Sequence, residues 1–273
     1  MSGFKNLMNN KQAVAGMAMI GVIVICAVFA PLIAPNDPTK VEISQRFAKV
    51  SAQFPLGTDQ LGRCVLSRLL FGARYSVGIA GVVLLFTAML SITVGTVSAY
   101  YGGMADRFLT GVCDIFMAFP PLVYLLIFAG VLGPGLESLV VSLVMVSWVW
   151  YARVVRTHVL KEKNKNYVTA AKIAGSSDCK IIFTHILPNI APALAVFFSM
   201  GIADNVLMIS GFSFLGLGVE AALPEWSTML SNAKNTIYTQ PQFMFYPGIC
   251  IFFTVCSFNI FGEALRDILS SDK

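Results

Sequence analysis

Long stretches of the chain carry no charge, and their spacing sets the first expectation. Uncharged intervals cover residues 12–36, 75–105, 115–136, 138–152 and 235–262, and a sixth, 189–219, is broken only by Asp204. About 20 helical residues cross a bilayer core of about 30 Å. The pattern therefore predicts six spans: Ala13–Ala34, Ser76–Tyr100, Ile115–Leu132, a shorter one over 138–152 that extends at most to Val155, one over 189–219, and one starting after Pro247. Each is expected to be helical. A lone strand in lipid leaves its backbone groups unpaired, and closed barrels show alternating strands in place of continuous apolar runs. The apolar run after Met1–Lys11 is longer than the about 7–15 residues of a signal-peptide core. It reads as a retained helix.

Composition supports a membrane protein and excludes other classes. Of the 273 residues, 56% are hydrophobic and 12% charged, against about 25% charged in soluble domains. Mean hydropathy is +0.75. These values exclude a soluble enzyme, a disordered chain and a nucleic-acid-binding domain. The net charge of +5 then reads as membrane topology. Six scattered cysteines, without CxxC spacing, predict no disulfide framework.

The stretch Arg153–Asn189 holds Arg153, Arg156, Lys161, Lys163, Lys165, Lys172 and Lys180 against only Glu162 and Asp178. The positive-inside rule makes it cytoplasmic, and six spans then place both termini there too. The segment Asn36–Arg74 argues back with Lys40, Arg46, Lys49, Arg63, Arg68 and Arg74 on the outside, leaving 12 basic residues inside and 7 outside. No repeat or low-complexity tract is visible. The expected organisation is an N-terminal helix with a long extracytoplasmic loop (1–75) and a membrane core (76–273).

Within the basic loop, Tyr167–Pro188 reads YVTAAKIAGSSDCKIIFTHILP. Tyr167 to Ala174 can form a short helix. Gly175 suits a left-handed terminating residue. Ser176 or Ser177 can cap a second helix with Asp178 in its first turn. Ile181, Ile182 and Ile186 make an apolar stripe, and Pro188 is expected to stop the run. Two short helices at an angle suit docking into another protein's groove. The alternative is a basic loop that anchors its flanking spans to anionic headgroups.

This segment resembles the cytoplasmic signature of ABC importer permeases, in which Glu-Ala-Ala is followed by three residues, Gly, nine residues, Ile, one residue and Leu-Pro. Ala170, Ala171, Gly175, Leu187 and Pro188 match; Thr169 stands for the Glu and His185 for the Ile. The segments Leu56–Arg74 (LGTDQLGRCVLSRLLFGAR), Gly211–Gly218 (GFSFLGLG), Pro224-Glu225-Trp226 and the ending from Asn259 through Arg266-Asp267 look like the dipeptide, oligopeptide and nickel permeases. Ser147–Arg156 and Tyr238–Gly248 look most like the nickel-type second permease subunit. The resemblance implies an all-α type I importer permease in a bacterial inner or plasma membrane, importing nickel, as the ion or a chelate, or else peptides. It also implies a second similar permease chain, two ATPase subunits that use ATP and Mg, and an extracytoplasmic binding protein. Thr169, Ala170, Ala171, Gly175, Leu187 and Pro188 would form the coupling contact with the ATPase subunit.

The chain itself has no GxxxxGK[ST] loop, HExxH, CxxC or GxSxG. Catalysis, a bound cofactor and a metal site are therefore not expected of it. Its only histidines, His158 and His185, lie in the basic loop. Gly211, Gly216 and Gly218 are expected to permit close packing or a bend. Intramembrane polar residues default to functional suspicion. Asp204, Asn205 and Met208 are candidate pathway residues, with a helix–helix hydrogen bond as the plain alternative at 204–205. Phe212 and Phe214 are weaker candidates, and Asp114, Asn259 and Glu263 are expected at membrane boundaries. Trp148, Trp150 and Tyr151 read as an interfacial aromatic belt. Asp37, Glu42, Asp59, Glu137, Glu220 and Glu225 are candidates for the binding-protein surface, and Val65–Tyr75 is either part of it or a headgroup-bound amphipathic segment. A secondary transporter or channel is the rival of another class; it would be favoured by several intramembrane acids and inverted halves, whereas one firm acid, Asp204, and no symmetry are found.

Overall fold

The computed structural model describes residues 7–133, 135–218 and 222–271, and Glu220 lies outside them. Among the described residues the only strand-like pairing is a single bridge between Thr58 and Cys64. The named elements among the described residues are all helices.

Helix α1 (Lys11–Ile33) starts where the Asn10 side chain accepts from the backbone N–H groups of Gln12 and Ala13, at 2.9 and 3.2 Å. It lies along the last helix, with Gly16 against the backbone of Phe261. A Cβ at 16 would stand 2.9 Å from Phe261 N. Residues 34–64 form a folded cap with a single 3₁₀ turn, Ile43–Gln45. Asp59 organises this cap: its Oδ1 accepts from the N–H groups of Leu61 and Arg63, and its Oδ2 takes Arg63 Nε at 2.7 Å.

Helix α2 (Val65–Tyr101) has 37 residues, about 55 Å at 1.5 Å per residue. It begins eleven residues before the expected span. Val65–Tyr75 is not a headgroup-bound segment, since Val65, Ser67, Arg68, Leu69, Gly72 and Ala73 are buried. Arg68 is 0% exposed. Its guanidinium donates to the carbonyls of Pro38 (3.1 Å), Ala222 (3.4 Å) and Leu223 (3.0 Å). That is why counting charges along the sequence mistook this stretch for surface.

The expected third span is broken. Helices α3 (Gly103–Met117) and α4 (Pro121–Leu132) are bent by 90°. Pro120 and Pro121 supply no N–H across the junction, so a single continuous helix cannot form there. Helix α5 (Leu136–Lys163) runs about two turns beyond Val155, the furthest end expected for the fourth span. It packs along α2, where Gly95 allows close approach: a Cβ at 95 would stand 2.6 Å from Ala152 O. Helix α6 (Asn166–Ile173) is short, and α7 runs from Asp178 to Phe214. Pro188 does not stop it. The stretch Ile181–Ile186 is π-helical, with Leu187 N donating five residues back to Ile182 O. The register slips where proline has no N–H to give. Gly216, at φ +84°, ends α7.

Helix α8 (Trp226–Ala233) closes the cap end, and α9 (Gln242–Ser271) completes the bundle. Helix α9 begins before Pro247, which sits in its second turn and forgoes one backbone bond there. Among the described residues, five helices are long and apolar enough to cross a membrane, and the bent α3–α4 pair makes up to six. The core, where Leu69, Val83, Leu125, Leu143, Val206, Phe212 and Trp226 meet, lies between α2, α4, α5, α7 and α8.

Glu225 is also moved from the expected surface to the interior. It is 0% exposed and caps α8. Its Oε1 accepts from Ser76 Oγ, Ser227 N and Ser227 Oγ, at 2.8–2.9 Å. Its Oε2 accepts from Thr228 N at 2.8 Å and Thr228 Oγ1 at 3.0 Å.

Candidate functional site

The segment Tyr167–Pro188 folds as an elbow at the end of the bundle opposite the cap. Helix α6 ends in a Schellman motif: Ser176 N donates to Ala171 O (3.1 Å) and Gly175 N to Lys172 O (3.0 Å). Gly175 takes φ +79° with open space around it. Ser177 caps α7, accepting from Lys180 N at 3.4 Å, with Asp178 in the first turn. The predicted stripe is the inner face. Ile181, Ile182 and Ile186 are buried against Val155, Val159 and Val168. The outer face is open: Thr169, Ala170, Ala174, Gly175 and Pro188 are exposed, Ala171 and Leu187 half-buried. Ile173 at 83% and Phe183 at 70% exposure leave that face apolar.

The elbow's roots are pinned by polar contacts. Tyr167 donates to Glu162, and Asn189 Nδ2 donates to His185 O at 2.5 Å and to Tyr167 Oη at 3.3 Å. Burial, then the Glu162 hydrogen bond, pushes the Tyr167 phenol up to about 12. Lys163 Nζ donates to the last carbonyls of α2, Ala99 O (3.0 Å) and Tyr100 O (2.8 Å). Arg156 makes two 2.7 Å bonds to Asp106, and Arg153 pairs with Asp114, so α3 is tied to α5. The sequence reading missed Asp106, Arg156 and Tyr100 as partners. Their mates lie 50 and 78 residues away and leave no local pattern.

The intramembrane candidates separate. Asp204 is exposed and Met208 half-buried, both on the wall of a cavity of about 650 Å³ between α3, α4, α5 and α7. Phe116, Phe119 and Trp150 also line it. Asn205 borders the same space but is 4% exposed, and its Nδ2 donates to Ala80 O of α2 at 3.2 Å. That is the plain helix–helix bond. Phe212 is buried in the core. Trp148 and Tyr151 are also buried, edge-on to Phe116 and stacked on Phe198, so they form no belt; only Trp150 is open. Among the described residues no three His, Cys, Asp or Glu side chains are placed to hold a metal. His158 lies on α5 beside Phe197, and His185 lies in the π turn.

The profile of the family described as binding-protein-dependent transport system inner membrane component matches residues 91–272. The chain belongs to this family. A second profile, the N-terminal TM domain of oligopeptide transport permease C, matches residues 3–53. The permease is 35% identical to the nickel transport system permease protein NikC of Escherichia coli (strain K12), over 93% of this chain and 91% of that one. It is 37% identical to the metal-staphylopine import system permease protein CntC of Staphylococcus aureus (strain Mu50 / ATCC 700699), over 96% and 91%. It is 33% identical to the dipeptide transport system permease protein DppC of Alkalihalophilus pseudofirmus, over 97% and 88%. A solved inward-facing MetNI methionine ABC transporter shares its fold, with TM-score 0.60 and 16% identity over 74% of this chain and 97% of that one. The permease is thus an all-α, multi-pass inner-membrane subunit of an ABC importer.

Proposed function

We propose that the elbow is the contact through which separate ATPase subunits, using ATP and Mg, drive this permease. The carrying observation is its two-sided build. An isoleucine stripe locks the inner face to α5, while Thr169, Ala170, Ile173 and Gly175 stand clear of the bundle. Asp204 and Met208 belong to the translocation pathway in this reading, and Asn205 supports its wall. The elbow and both termini face the cytoplasm, and the two-part division at residue 75 is kept. The chain pairs with a second similar permease and receives cargo from an extracytoplasmic binding protein.

Nickel, as the ion or a chelate, is the first choice of cargo, supported by the likeness to the nickel and metal-staphylopine permeases. Dipeptides are the second reading, supported by a similar likeness to a dipeptide permease. A strain lacking this gene, given radioactive nickel or a labelled dipeptide, separates them by which uptake is lost. Coupling is tested by Gly175→Trp. The bundle is expected to insert normally while uptake drops at least tenfold and partner ATP hydrolysis continues. Unchanged uptake overturns the coupling role.

A further inference from the structure

The C-terminal turn of α2 makes a hydrogen bond to the elbow. Tyr100 Oη donates to Asp178 Oδ1 at 2.5 Å, between residues 78 apart in sequence. The Tyr100 ring is buried among Ala99, Val155, Val159, Val168 and Ile181, so its hydroxyl is aimed by packing. Lys172, from α6, sits with Nζ 5.1 Å from the centre of that ring. One side chain of α2 therefore contacts α6 through its π face and α7 through its hydroxyl. Lys163 holds the same turn from α5 through the carbonyls of residues 99 and 100.

We propose that Tyr100–Asp178 is a transmission latch, with Tyr100 a positioning residue that makes displacement of the elbow move α2 together with α7. The proposal rests on the elbow being the ATPase contact. Its physical content is a division of routes. Movement of the elbow reaches α7 through the continuous helix Asp178–Phe214. It reaches α2, which carries the close packing with α5 at Gly95, through this hydrogen bond. A charge-assisted hydrogen bond is strong and directional, so it ties one atom of α2 to one atom of α7, which the non-directional apolar contacts around it do not.

The test uses the whole transporter, this permease with its partner subunits, in lipid nanodiscs. Backbone hydrogen exchange is followed before and after ATP binding. In the wild type, ATP is expected to change exchange in the elbow (166–180) and in the last turn of α2 (98–101). Tyr100→Phe keeps the ring, its packing and its contact with Lys172. It is expected to leave the ATP-free pattern and the elbow response intact while the response of the α2 end falls about tenfold, the size of one lost hydrogen bond to a charged group. Asp178→Asn should act in the same way, and Asp178→Glu should restore part of the response. An α2 response undiminished in Tyr100→Phe overturns the latch, as does a wild-type elbow that responds while α2 does not. An elbow silent to ATP in the wild type overturns the ATPase contact itself and is thereby told apart.

Discussion

At the elbow end, 22 consecutive residues end and cap their own helices, and a long-range hydrogen bond from Tyr100 is added to them; at the cap end, the contacts that hold Arg68 and Trp226 join residues 30 to 157 apart. Both ends bury polar groups, but they satisfy them differently. The elbow ends its helices with short-range devices, a left-handed glycine and a serine cap, and leaves one face open. The cap encloses full charges: Arg68 on three carbonyls and Glu225 on two hydroxyls of its own turn, two backbone N–H groups and Ser76. Trp226 adds an Nε1–H bond to Leu69 O at 2.9 Å. A surface meant to be gripped and moved can rest on local devices. A lid over the bundle's far end is held by partners from several helices.

The largest effect that separates the two ends is expected from Glu225→Ala. The change leaves Ser76 Oγ, Ser227 N and Thr228 N without their acceptor in a dry site, and α8 loses its cap. Unsatisfied buried groups together with a lost cap amount to about 3 kcal/mol or more. The expected outcome is a clear drop in thermal stability of the detergent-purified chain, with protease cleavage appearing first near α8. Stability equal to wild type would mean that the cap end does not depend on its enclosed charges.

This comparison also explains what the sequence made legible. The apolar intervals located the crossing helices because lipid demands long uncharged runs, and the elbow's glycine, serine cap and isoleucine stripe were readable because each acts within one or two helical turns. Helix lengths were underread. Arg68, Arg153 and Lys163 lie inside helices but look like loop residues when charge alone marks an end. The α3–α4 break was written in Pro120-Pro121 but hidden by the uninterrupted hydropathy around it. Arg68 looked like surface because nothing near it in sequence announces the distant carbonyls that surround it; Glu225 is capped by its neighbours Ser227 and Thr228, but its partner Ser76 lies 149 residues away. Asp204 and Asn205 show the limit at its sharpest. The two neighbours carry similar polar side chains, yet one opens to a cavity and the other bonds to Ala80 O. A hundred-degree turn of one helical residue decides that, and no pattern in the chain records which way the helix faces.

A smaller effect on stability, and a larger one on coupling, is expected at the elbow from Gly175→Val. No atom stands within 4 Å of a Cβ at 175, so no clash arises. The cost is conformational, since a β-branched residue at φ +79° pays about 1–2 kcal/mol. Melting of the whole bundle should therefore shift by only a few degrees, while uptake falls as strongly as for Gly175→Trp. A variant that melted like Glu225→Ala would show that the elbow is no more local than the cap.

The smallest expected effect is a difference in alkaline behaviour between the ends, read at Tyr167. Its phenol is held protonated by burial and by the hydrogen bond it donates to Glu162, which raises it from 10.0 to about 12. A group whose folded pKa is raised contributes stability that is complete below its unfolded pKa and disappears as pH climbs through the folded one. For Tyr167 that window runs from about 10 to about 12. Tyr167 is more than one-third exposed, so solvent tempers the contribution. Hydrogen exchange at Asn166–Ile173, compared between wild type and Tyr167→Phe, should show the wild-type elbow loosening across this window while the variant, having no proton to lose there, shows no step. The cap lies at the opposite end of the bundle from Tyr167 and should not loosen through the loss of that proton. A step shared by both ends, or one that survives in Tyr167→Phe, would assign the loosening to the bundle as a whole.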